Sequence, residues 1–322
     1  MTAGVRGAAP LGHRARPWDR LARWWFAPAP AERLAALRIA IGAFAVIWMV
    51  ARLPEVIAVA RLPATQLAPI GVIRVLGGPL PAIAVIAIAV ATVGLLLAFT
   101  AGRGYRITAP LAAAGVLWTL SYRNSWGMVF HTENLLVLHV LALACAPAAD
   151  AWVIGRVAPS REAPTAGYGW AIKLLAAITC ATYLLAGIAK LRLAGVAWLD
   201  GAQLRNQISI DYLRKALLGG WTAPLARPLV AHPEGLVVLS VATLGLELGA
   251  PLAMLGGRTA RCWAWGAWGF HLGVVLAMNV WFPYPITGVA FLPLVAAERV
   301  VVAPVRWWYS WGTGGTARRR GR

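Results

Sequence analysis

From Leu80 to Ala101 the chain runs for 22 residues without one charged side chain. That length suits the ~30 Å hydrocarbon core of a bilayer, where a helix is the simplest single-segment way to satisfy every backbone polar group. Further apolar runs predict bilayer-crossing helices at 34–51, 107–120, 135–149, 170–190, 235–255, 261–280 and 285–302. With 60% of 322 residues hydrophobic and 13% charged, an ordinary soluble domain is excluded. The expected fold class is all-α: a polytopic transmembrane helix bundle of about eight spans, with an amphipathic extracytoplasmic helix over 200–218 capped by Asp200. Residues 1–33 read as a basic cytoplasmic or interfacial start, with Trp18, Trp24 and Trp25 at headgroup level. Residues 34–302 form the membrane domain and 303–322 a basic cytoplasmic tail.

The formal net charge of +19 would point to nucleic acid in a soluble protein. Here the arginines sit mainly in the termini and short connections, so topology accounts for them and no nucleic-acid partner is expected. With the N-terminus inside, two short inner turns carry Arg103 and Arg106, then Arg258 and Arg261, with no acid, while the outer turn at 281–284 has no charge. Both termini are therefore expected in the cytoplasm. The richness in Ala, Arg, Gly and Pro suggests a bacterial source, so the membrane is read as the cell inner (plasma) membrane. The segment 121–134 and the end of the fifth span then face outward. Cys145, Cys180 and Cys262 form no C-x-x-C pair and imply no disulfide framework.

Against this apolar background the polar residues are informative. Thr179, Tyr183, Gly187 and Lys190 follow spacings of four, four and three, which places them on one helix face. A lysine in mid-membrane costs about 2.5–3.5 kcal/mol on insertion scales, less where it snorkels to the interface. Interfacial anchoring is the plain alternative to a functional role, for Lys190 as for Arg38. A second group, Asn124, Trp126, His131 and Glu133, interrupts the apolar pattern before the fourth span. Glu247 lies between Gly245 and Gly249, and His271 between Gly269 and Gly273. Glycines four apart suggest a packing face, leaving the ionisable residue to face a polar interior. A structural Glu247–His271 pair and a substrate-facing role both remain open. No nucleophile elbow, phosphate loop or metalloprotease motif occurs, and no metal site is expected.

These residues carry a resemblance over roughly 33–294. The turn Gly104-Tyr105-Arg106-Ile107, the pair Ser125-Trp126 followed by His131, Tyr183 through Ala186-Gly187 to Lys190-Leu191, Trp198 with Gly201, Glu247 among small residues, and Phe270-His271 occur in order. Together they resemble the HTTM (horizontally transferred transmembrane) domain, shared with vitamin K-dependent γ-glutamyl carboxylase. The resemblance implies Lys190 as a base toward a reduced quinone of the menaquinol or vitamin K hydroquinone type. His131 and His271 would assist it, and Trp126, Asn124, Glu133, Tyr183 and Glu247 would contact quinol or substrate. Ala189 stands where the carboxylase pattern has the first of two adjacent lysines, and no large lumenal region is expected after the last span. Burial in an apolar wall favours a neutral amine, which is what a lysine base requires. The expected function is carboxylase-like, quinol-coupled modification of a secreted peptide or small substrate in an outward-facing pocket. The alternative is a non-catalytic membrane factor for export or maturation of a partner peptide. A transporter is disfavoured because no inverted repeat appears.

Overall fold

The computed structural model describes residues 16–127, 129–154 and 163–301, and the tail at 303–322 lies outside them. Among the described residues the regular structure is helical, and the only pairing of extended chain is an isolated bridge between Ala29 and Thr165. The α-helices are α1 (Pro17–Trp25), α2 (Ala31–Val59), α3 (Ala82–Ala101), α4 (Tyr105–Asn124), α5 (Asn134–Ala144), α6 (Ala166–Ala194), α7 (Ala202–Leu217), α8 (Ala226–Ala231), α9 (Pro233–Leu248), α10 (Gly257–Met278) and α11 (Pro283–Ile286). Among the described residues, three stretches are long and apolar enough to cross a membrane: α2, α3, and α6 with its 3-10 extension to Asp200.

Several boundaries differ from the sequence pattern for local reasons. The first helix runs past Pro54 to Val59, so Arg52 and Glu55 are helical rather than part of a connection. The fourth predicted span shortens to the 11 residues of α5. The sixth breaks after Leu248 into a 3-10 segment at Ala250–Leu255, where Pro251 cannot donate a backbone N–H. The expected eighth span is not one helix. Pro283, Pro285 and Pro293 with Gly288 divide it into α11 and a 3-10 segment, Val289–Leu294. The amphipathic helix is present as α7, with the Asp200 carboxylate accepting the Ala202 amide at 2.8 Å.

Residues between α3 and α4 illustrate how the hairpins close. Gly102 (φ +74°) and Gly104 (φ +56°) take the left-handed conformation that side chains disfavour, so the chain reverses in three residues. Arg38 lies beside this turn and is fully buried. It donates to the carbonyls of Thr100 (3.3 Å), Ala148 (2.6 Å), Ala151 (3.2 Å) and Trp152 (2.5 Å). Arg38 therefore staples the bundle instead of snorkelling. The same end holds the Arg33–Glu298 ion pair at 2.9 Å and the Tyr105 hydroxyl on the Leu143 carbonyl at 2.8 Å.

The opposite end of α2, α4 and α5 carries a charged cluster. Arg123 Nη1 donates to Glu133 Oε1 at 2.9 Å and Arg123 Nε to Glu55 Oε2 at 2.6 Å. Arg52 pairs with Glu55, and Trp48 Nε1 donates to Glu133 at 3.1 Å. Two guanidinium groups facing two carboxylates let four charges be packed together among apolar helices. Burial pushes the Glu133 carboxyl up, opposed by Arg123 and by the Trp48 indole.

Candidate functional site

Helix α6 presents the face read from its sequence, and each of the four residues on it meets a partner. Nearest its middle, Thr179 Oγ1 donates to the carbonyl of Ala290 at 3.0 Å and lies 3.1 Å from His139 Nε2. His139 Nδ1 in turn sits 2.6 Å from the Tyr284 hydroxyl. One turn on, the Tyr183 hydroxyl lies 2.6 Å from His271 Nε2 of α10, with the Tyr183 ring edge-on to Trp263 at 5.0 Å. Gly187 follows. A Cβ there would stand 3.0 Å from Glu247 Cβ and 3.0 Å from Leu248 Cδ2, so the missing side chain is what lets α9 approach. Finally Lys190 Nζ donates to Glu247 Oε1 at 2.5 Å and Oε2 at 2.7 Å.

The last pair is asymmetric. The Glu247 side chain is 4% exposed and that of Lys190 22%, so the carboxylate is the buried member and the amine reaches toward the surface. Lys190 Nζ also sits 5.3 Å from the centroid of the Trp198 ring, which supports the charge through its π-face. Glycine at 201 (φ +79°) keeps the chain tight against α9, where a Cβ would meet Val237 N at 2.8 Å. Among the described residues, two buried polar atoms beside this row have no hydrogen-bond partner: Trp198 Nε1 and His271 Nδ1.

The predicted site residues thus divide into groups. Lys190 with Glu247, and Tyr183 with His271, are brought together along α6. Glu133 belongs to the Arg123 cluster at the end of α4, and Asn124 Oδ1 accepts the Phe130 amide at 3.2 Å. Trp126 packs against Tyr122 at 5.8 Å within an apolar cluster with Val56 and Ile73. The backbone of His131 lies in a 3-10 turn, His131–Glu133, while its side chain is outside the described part. The suggested Glu247–His271 pairing does not form, because each residue takes a different partner on α6. Nor do the glycines around these two residues make close packing: a Cβ at Gly245, Gly269 or Gly273 would meet nothing outside its own helix within 4 Å.

Sequence reasoning missed the His139–Thr179–Tyr284 node. Its only signal was a histidine inside an apolar run, which does not reveal a partner 145 residues away. It also missed that Glu55 and Arg52 join Glu133 and Arg123. Among the described residues no three His, Cys, Asp or Glu side chains gather as a metal site would require.

An all-helical membrane domain with a polar row along one long helix is the class that fold and site define. Residues 26–297 match the HTTM domain family, and the chain belongs to that family. No curated protein and no solved structure matches it.

Proposed function

We propose that this membrane domain handles protons at the Lys190–Glu247 pair during a reaction of a lipid-soluble quinol, coupled to modification of a peptide or small substrate. The observation that carries this reading is the pair itself beside two buried, unpartnered polar atoms. Trp198 Nε1 and His271 Nδ1 are buried without a partner among the described residues, as are Thr119 Oγ1 and Tyr122 Oη elsewhere, and what sets the first two apart is their place beside the ion pair. A ligand with hydroxyl or carbonyl oxygens would satisfy them, next to the packed aromatic rings of Tyr183, Phe282 and Trp263. When bound, a reduced quinone would supply an ionisable hydroxyl, and its two electrons would pass to dioxygen as the oxidant.

In the resting arrangement Lys190 is a donor, so the pair rather than the lysine alone is the working unit. Moving the proton from Nζ to Glu247 leaves a neutral amine able to accept one from a substrate, with no net charge created in the apolar wall. Tyr183 and His271 lie two turns down the same face and are placed to orient a ligand. The test is oxidation of reduced menaquinone by dioxygen in air-saturated lipid nanodiscs holding the full chain, measured above the rate in protein-free nanodiscs. Lys190→Ala is expected to slow it at least roughly a hundredfold, the usual contribution of general acid–base catalysis. Absence of consumption by the parent, or an unchanged rate in Lys190→Ala, removes the reading.

The orientation that goes with it has both termini in the cytoplasm of a plasma membrane and the α6 C-terminus outside. In intact cells a membrane-impermeant thiol reagent is then expected to label Ala64→Cys and to spare the exposed native Cys145, with Cys262 replaced by alanine. Labelling of Cys145 alone inverts the topology.

A further inference from the structure

Helices α9 and α10 leave an apolar slot on a face turned away from the Lys190–Glu247 pair. Its volume is about 530 Å³, and it runs along α10 from Gly266 to Met278. Leu239, Thr243 and Leu246 of α9 form the facing wall. Gly269 and Gly273 are exposed and open it, because no side chain fills the space above them. At Gly266 the Leu246 side chain comes within 3.2 Å of a Cβ position and narrows the slot. At the other end Leu204 and Ile208 of α7, Leu225 just before α8 and Leu229 within it roof it.

Twelve residues of helical rise make the slot ~18 Å long. Its lining is apolar apart from Thr243 and it is partly open, so a single hydrocarbon chain can enter it sideways from the bilayer. The roof adds a charge preference. Arg205 follows Leu204 and Arg227 stands between Leu225 and Leu229. Both are exposed, and neither has an ion-pair partner among the described residues. Of the nearby acids, Asp211 is held by Arg214 and Lys215, and Asp200 accepts the Ala202 amide, which leaves Glu234.

We propose that the α9–α10 slot is a binding site for one acyl chain of an anionic phospholipid, with its phosphate at Arg205 and Arg227. The site does not depend on the catalytic reading of Lys190. Reconstitution of the full chain into vesicles of phosphatidylglycerol and phosphatidylcholine in equal parts, followed by gentle extraction and native mass spectrometry, tests it. The parent is expected to retain one phosphatidylglycerol. Gly273→Leu, which fills open space, is expected to lower that retention roughly tenfold, about 1.4 kcal/mol of binding. Thr243→Phe fills the slot from the opposite wall and is expected to do the same, while Gly94→Leu on α3, equally open, leaves retention unchanged. An Arg205→Gln/Arg227→Gln double variant is expected to lose the preference for phosphatidylglycerol. Equal retention by both slot-filling variants, or equal retention of the two lipids by the parent, overturns the proposal. So does recovery of an isoprenoid quinone instead of a phospholipid from protein purified directly from cells.

Discussion

Glu247→Ala is expected to destabilise the folded protein by about 1–3 kcal/mol, because the Lys190 ammonium loses its hydrogen-bonded carboxylate but still reaches toward the surface. Replacing both partners, Lys190→Met with Glu247→Leu, is expected to bring stability back to within about 1 kcal/mol of the parent. The desolvation cost of two charges disappears with their attraction, and the apolar volume is kept. Unfolding of the three proteins in one detergent measures both effects. A Glu247→Ala protein as stable as the parent shows that the pair is not energetically buried. The double variant also separates function from architecture. It is expected to fold and yet to consume no reduced menaquinone, whereas an architectural pair predicts a stable, fully competent double variant.

Arg38→Met is expected to cost at least about 3 kcal/mol. Four carbonyls from two separate stretches, at 100 and at 148, 151 and 152, lose their donor together, and a buried acceptor left without one costs about 1–3 kcal/mol. Arg38→Lys is expected to recover only part of this. An ammonium offers three donors at a point, while the guanidinium spreads five across a plane and reaches all four acceptors. The effect reads out as lost unfolding free energy in both variants. A methionine variant within 1 kcal/mol of the parent shows that water replaces the guanidinium at this site.

Both expectations concern residues whose polarity was plain in the sequence while their partners were not. Arg38 one turn inside an apolar helix reads as a snorkelling side chain, since spacing along α2 holds no information about the α3–α4 turn. Its acceptors are backbone carbonyls, which no residue type marks. Likewise Glu247 and His271 stand in the same glycine-flanked pattern, and nothing in either segment distinguishes a partner for one from a partner for the other. The antiparallel approach of α9 sets Glu247 beside Gly187 and Lys190, while α10 reaches α6 two turns earlier and delivers His271 to Tyr183.

Glycine spacing misled in a consistent way. Gly245, Gly269 and Gly273 looked like packing positions, but they face open space, and two of them line the slot. Close contact beside the polar row comes instead at Gly187 and Gly201, while Gly42, Gly115 and Gly169 permit it elsewhere. A glycine can mean a close neighbour or a deliberate gap, and only the neighbour's position tells them apart. The broken last segment is different: Pro283, Pro285 and Pro293 cluster around Gly288 (φ +78°), whereas the lone Pro54 is carried inside α2.

The sequence by itself determined the helical class, the membrane setting, and the face of α6 on which Thr179, Tyr183, Gly187 and Lys190 lie. All three follow from local quantities: the length of an apolar run, the absence of charge, and a rotation of about 100° per residue. Tertiary structure alone decided which partner each of those four residues meets. It also turned a lysine expected as an isolated base into half of an ion pair, because that outcome depends on where a helix 57 residues away crosses α6.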